Sequence, residues 1–472
     1  MKRSIARWLI IFAVVVGFAV ACHVSFDQVT GRKLAVHLAR VQKPGAMDAY
    51  EKLFYELTRD DSRKPASEAV FQSTQFDGFP DDAADIIAGY DRLFDHLAAK
   101  EDSARQQIWS DAGRSEVVAF LLTNQDLVRE IRQMADRGGP VYPIDFSKRP
   151  TTQLPHLTNL RSCAWLLRAD AVVKAGNGNK SEAVENIIAG MKLGDALVPE
   201  PVLVSQFARI SIYWLMYDAL QRSLHGRDIS EELTRRLMRQ VAGADHRRAF
   251  AESLAGEQQV GIQVFSDVRA GERVVWDMDG LTEASPPPVM RGIRNARMRR
   301  LDNIAESAFL NLYYGSFGGP WMNLDEATFV ESVTRLVGAA GKPYYRAVPE
   351  LNQLEMELND LPPTKIFSRR ILPVLLRRFE AQARHEAVLD LMQMGILLEQ
   401  YRARNGSFPD SLEAIAPELG GSLPVDPFIG SIYHYRLSGD SFVLYSYGRN
   451  LVDDGGRHSL WNGDIVWRGE EE

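Results

Sequence analysis

Cysteine is almost missing from this 472-residue chain: only Cys22 and Cys163 occur, and no disulfide framework can be built from them. Cys163 stands in "LRSCAWLLRADAVV" among apolar residues at helical spacing, where a small buried side chain is expected rather than a nucleophile. A surplus of positive charge is missing too. With 62 acidic against 55 basic residues the net charge is -7, and the basic runs, residues 294–300, Arg369-Arg370 and Arg377-Arg378, are short and local. They read as solvated helix faces, which argues against a nucleic-acid partner. Catalytic signatures are also lacking: there is no nucleophile elbow, phosphate loop, His-Glu-x-x-His or dinucleotide fingerprint. Glu257 and the neighbours His385-Glu386 are acid/base types on helical stretches, where carboxylates are usually solvated.

What is present is ordinary globular material. Hydrophobic residues make up 45% and charged residues 25%, so large-scale disorder is not expected, and the length suffices for two or three cores at roughly 150 residues each. The start, "MKRSIARWLIIFAVVVGFAVACHV", sets Lys2, Arg3 and Arg7 ahead of an uncharged apolar run from Trp8 to Cys22, the layout of a signal or signal anchor over residues 1–24. Three outcomes stay open. The run is an uncleaved anchor, it is cut after Ala19-Val20-Ala21, or Phe18 to Cys22 acts as the bacterial lipobox it resembles, with Cys22 acylated. Each places the bulk of the chain outside the cytoplasm, in the cell envelope.

The spacing predicts a large helical domain over residues 28–378, with a sub-boundary in the Pro/Gly-rich segment 136–155. Residues 156–195 read as helix, Gly-Asn turn, helix, and resemble one tetratricopeptide unit: Gly178 allows the turn, Ala183 lets two helices approach, and Ile187 and Met191 fill the seam. A repeat array and an irregular bundle are both consistent with this. The segment "FSRRILPVLLRRFE" is amphipathic and basic, with Pro373 in its middle.

From Phe379 an apolar stripe through Ala383, Ala387, Val388, Leu391, Met394, Leu398 and Tyr401 predicts a helix that Asn405-Gly406 stops. "SFPDSLEAIAPEL", "LPVDPFIG" and two alternating strands, "SIYHYRLSG" and "SFVLYSYG", follow, giving a small α+β domain with an antiparallel sheet over residues 379–472. The chain is therefore expected to be mainly α.

Three motifs of this last domain, in order, resemble the globular part of type II secretion pseudopilins. They are Leu398-Glu399-Gln400-Tyr401 through Asn405-Gly406-Ser407-Phe408-Pro409, then Asp426-Pro427-Phe428 with Gly430 before Tyr433-His434-Tyr435, then Ser446 to Leu451 with Asp464-Ile465. The prepilin-peptidase site of that family is missing from residues 1–25, so polymerisation into a pseudopilus is not implied. The resemblance implies a calcium-binding loop, with Asn450, Asp453, Asp454 and Asp464 as ligands, which suits a hard cation that takes six to eight oxygens. His458 with carboxylates makes a poor soft site for zinc. Two functions remain open: an envelope-anchored extracytoplasmic adaptor that binds protein partners through its helical domain, with a link to protein secretion, and a hydrolase whose groove lies in that domain.

Overall fold

The computed structural model describes residues 22–39, 124–137, 154–224, 230–243, 245–270, 319–457 and 463–468, with positions 41, 118, 121, 122 and 144 besides. The signal segment up to residue 21 and most of the expected sub-boundary at 136–155 lie outside them. Helix accounts for 74% of the described residues, and a three-stranded antiparallel sheet closes the chain, so the mainly α class with a small C-terminal sheet holds. In chain order the helices are α1 (residues 22–38), α2 (Gln125–Asp136), α3 (Pro155–Gly176), α4 (Lys180–Asp195), α5 (Leu203–Leu224), α6 (Glu231–Ala242), α7 (His246–Arg269), α8 (Gly319–Ala340), α9 (Tyr344–Asn359) and α10 (Ile366–Asn405). No helix among the described residues is long and apolar enough to cross a membrane.

Local chemistry starts these helices. Asn179, Ser230 and Asp245 cap α4, α6 and α7 by accepting the backbone N–H of Glu182, Leu233 and Arg248, which satisfies donors that the first turn leaves free. The turn between α3 and α4 needs Gly178, whose φ of 83° is left-handed. Two helices borrow caps from elsewhere in the fold. The buried carboxylate of Asp325 on α8 accepts the N–H groups of Phe367 (2.9 Å) and Ser368 (3.1 Å) at the start of α10, and Glu257 on α7 accepts that of Leu203 (3.1 Å) at the start of α5. Tertiary caps of this kind fix where a helix begins relative to its neighbour as well as satisfying its amides.

Helix α10 is 40 residues long and runs through two apolar cores. Its first half packs with α7, α8 and α9 around Phe250, Phe265, Phe329, Phe367 and Phe379. Its second half packs with α5, α6 and the sheet in a core that also takes in α2, α3 and α4. Pro373 lies within the helix and does not end it. The turn closes instead at Gly406, whose φ is 82°.

The sheet has the order β1 (His434–Ser438), β2 (Ser441–Ser446), β3 (Ile465–Arg468). Gly439, at φ 61°, makes the tight connection from β1 to β2, which sets Leu437 opposite Phe442 and Tyr435 opposite Leu444. Phe442, Leu444, Ile465 and Trp467 are buried in the second core. The strand expected from Ser431 begins only at His434, since Ile432 forms a lone bridge with Val425.

The boundary expected near residue 379 falls inside α10, and the apolar core continues across it. Tyr217 of α5 donates its hydroxyl to the Val466 carbonyl (2.7 Å) and sets its ring edge against Trp467. Tyr433 donates to Asp390 on α10 (2.7 Å), and the N–H of Tyr345 on α9 donates to the Pro427 carbonyl (2.9 Å). Asp426 of the Asp-Pro-Phe turn is fully buried and accepts the N–H groups of Phe428 (2.8 Å) and Tyr447 (3.2 Å), so the motif holds the loop to the sheet.

Candidate functional site

The four expected calcium ligands sit where the chain leaves β2 and returns as β3. Leu451, Gly455 and Gly456 all take left-handed conformations there (φ 56°, 72° and 76°), which turns backbone amides toward the carboxylates. Asp464 is fully buried and accepts the N–H of Gly456 at 2.7 Å and, more weakly, that of Asp454 at 3.5 Å. The Asn450 amide donates to Asp454 at 2.8 Å, and its oxygen accepts the N–H of Val452 at 3.2 Å. Asp453 turns aside, accepting from the Tyr445 hydroxyl and the Gly455 N–H, each at 2.9 Å. The structure therefore joins Asn450, Asp454 and Asp464 in one hydrogen-bonded chain and gives Asp453 to Tyr445 of β2.

Desolvation, then repulsion by Asp454 and Asp453, pushes the Asp464 carboxyl up to about 6 against its two backbone donors. Among the described residues no group of three or more His, Cys, Asp or Glu side chains stands ready around a metal ion. Two carboxylates and one amide oxygen suit a hard cation only when backbone carbonyls complete the six to eight ligands it takes. His458 lies outside the described residues.

A second polar cluster lies at the junction of α5, α7 and α10. Arg209 and His385 are fully buried and His246 is 6% exposed. Arg209 Nη1 donates to His246 Nδ1 at 2.8 Å, and His385 Nε2 approaches the same nitrogen at 3.1 Å. A guanidinium can only donate, so His246 Nδ1 is an acceptor, its Nε2 carries the proton, and His385 Nε2 is a second donor to it. Burial, reinforced by the Arg209 charge, drops both imidazoles well below the usual histidine range and keeps them neutral. Tyr213 sets its ring edge-on to both imidazoles and donates its hydroxyl to Asp195 at 2.7 Å, where Gln240 also donates at 2.5 Å. Burial lowers Arg209 to about 10 and lifts Asp195 to about 6.

No family profile matches the chain, and no curated protein or solved structure is significantly similar to it.

Of the acid/base residues picked out in the sequence, each is engaged separately. Glu257 caps α5, Glu386 binds Arg247 at 2.8 Å, and His385 joins the buried cluster. Cys163 is buried and its thiol is pushed up to about 12, in keeping with a packing role. Sequence reasoning missed Arg209 and His246. The usable signal was a lone arginine inside "SQFARISIYWLMY", a run otherwise fit for burial on every side. An open groove of about 730 Å³ also runs between α6, the last turns of α10 and the β1–β2 hairpin, where Ile396, Phe408 and Leu437 meet Glu231, Arg402, Arg404 and Asp440.

Proposed function

We propose that the chain is an extracytoplasmic adaptor, held to the cell envelope by its first residues, that grips a protein partner in the groove between its helical body and its pseudopilin-like C-terminal unit. The observation that carries this reading is the shared core: α10 and the strands pack as one with α2 to α6, so the two walls of the groove cannot slide apart. Apolar patches flanked by charges of both signs suit a segment of protein better than a small ligand. A hydrolase would need its histidine and carboxylates to line an opening, and His246 and His385 are instead closed inside the body. The C-terminal loop holds calcium through Asp454, Asp464 and Asn450, and the ion serves there to neutralise crowded carboxylates and lock the return into β3.

Two experiments test the two halves of the proposal. A photo-crosslinking side chain at Arg404 or at Asp440, both exposed in the groove, should capture the same partner in intact cells, while one at exposed Arg248 on α7 should not. Different adducts at the two groove positions, or equal capture at Arg248, reject the groove. Calcium at 100 times its Kd should stabilise the full chain by about 2.7 kcal/mol, and Asp464→Ala should abolish the response. Superimposable melts with calcium and with chelator reject the ion and leave the loop as a self-bonded turn.

A further inference from the structure

Two arginines of this protein show what the guanidinium edge formed by Nε and Nη2 does when it meets an acid. Arg168 turns that edge to Asp218, with Nε at 2.8 Å, and Arg247 turns it to Glu386 at 3.0 and 2.8 Å. Arg209 is fully buried, and the same two atoms, Nε and Nη2, meet no acceptor among the described residues. At the same junction His246 Nε2, His385 Nδ1 and Gln382 Oε1 are unmet as well, the two imidazole nitrogens on ring edges turned away from the Arg209–His246 contact. Buried polar atoms in native proteins are nearly always paired, and an uncompensated buried charge is expensive. Five such atoms at one junction of three helices call for a common cause.

We propose that the junction of α5, α7 and α10 is an internal site for a small oxyanion, gripped in bidentate fashion by the Nε/Nη2 edge of Arg209 beside His246 and His385. A cation does not fit. The Nδ1 lone pair of His246 is already engaged by Arg209 and His385, and the guanidinium would repel a metal held on the remaining nitrogen. Asp195 offsets part of the Arg209 charge at a distance, but it accepts from Tyr213 and Gln240 and takes no hydrogen bond from Nε or Nη2. A planar fork of N–H donors matches the oxygen spacing of carboxylate and phosphate, and a charge-assisted pair of this kind is about twice as strong as a neutral hydrogen bond. His385 Nδ1 and Gln382 Oε1 are acceptors, three residues apart on α10. An oxyanion that keeps a proton, as hydrogen phosphate does, serves donors and acceptors together; a bare carboxylate serves only the donors. Since the residues are closed from solvent, the anion enters during folding or through local opening and exchanges slowly.

This inference is independent of the adaptor reading. The test uses the full chain, dialysed into chloride, with thermal melts titrated by inorganic phosphate, sulfate and acetate at constant ionic strength. Anions released on denaturing freshly purified protein are identified by ion chromatography. Phosphate should raise the melting temperature by roughly 5 °C at a hundredfold excess over Kd. A larger response to acetate would assign the site to carboxylates. R209M should lose the response and melt in chloride at or above the wild-type temperature, since an unpaired buried charge has gone. R209K keeps the charge without the fork and should lose most of the response. The proposal is overturned when none of the three anions shifts the wild type and none is released, when R209M responds as the wild type does, or when R209M melts far below the wild type in chloride, which would make Arg209 part of a self-sufficient network.

Discussion

The two halves of α10 meet the rest of the protein differently. From Ile366 to Phe379 the helix buries a narrow face, with Phe367, Leu372, Leu375 and Phe379 toward α7, α8 and α9. From Ala387 to Leu398 every residue is buried except the partly buried Asp390 and Gln393, because α5 and α6 and the sheet close around it. The first half fills its gaps with rings: Phe367 packs edge-on against Phe265 and Phe329 at 4.6 and 4.9 Å. The second half works by shedding bulk. A Cβ on Gly395 would lie 2.2 Å from the indole of Trp467, so only glycine lets the helix lie this close to β3. One helix thus uses large rings where it has one covered side and small residues where it has several.

The hardest test of this contrast removes one anchor from each core. Trp467→Ala and Phe329→Ala should each cost about 4 kcal/mol. Because both cores share α10, calorimetry should show a single transition displaced in either variant; a second transition would split the molecule at the middle of the helix. Gly395→Val should cost about 3 kcal/mol through overpacking, measurable as a lower urea midpoint.

A smaller effect depends on pH. Burial first, then Glu386 and Asp426, lifts the Asp390 carboxyl to about 7, while Tyr433 and Arg247 pull it down. Between the ordinary carboxylate range and pH 7 the native state holds this proton more tightly than the unfolded chain does, so the group's contribution falls as pH rises through that window. Asp390→Asn keeps an acceptor for Tyr433 and should stabilise the protein by about 2 kcal/mol at pH 8 and by nothing measurable at pH 4. Equal gains at both pH values would assign the effect to something other than this proton. Smallest is Gly338→Ala: a Cβ there meets nothing within 4 Å, and the exchange at this exposed position of α8 should add about 0.8 kcal/mol of stability.

Gly338 and Gly395 look alike in the sequence, both single glycines within helices, and only the fold separates them. The stripe from Phe379 to Tyr401, the stop at Asn405-Gly406 and the turn at Gly178 were legible because each is a local pattern with a local cause. The second buried face of α10, with Leu389, Met392, Ile396 and Leu397, was not legible, since a stripe on one side conceals what covers the other. Pro373 stands in the middle of an amphipathic segment, and packing against α7 and α8 carries the helix through it. Of the candidate loop, Asn450, Asp454 and Asp464 were found together, while the part of Asp453 turned on Tyr445 of β2 and Tyr447 just beyond it, which its spacing does not reveal. The buried cluster was out of reach for a plainer reason: 37 and 139 residues separate His246 from Arg209 and from His385.

That α10 lies at residues 366–405 of a 472-residue chain has a consequence for how the molecule is made. Both cores need this helix, so α5 to α9 leave the ribosome without one of the surfaces against which they finally pack. A nascent chain of this kind cannot complete its tertiary structure until residues 366–405 have been made.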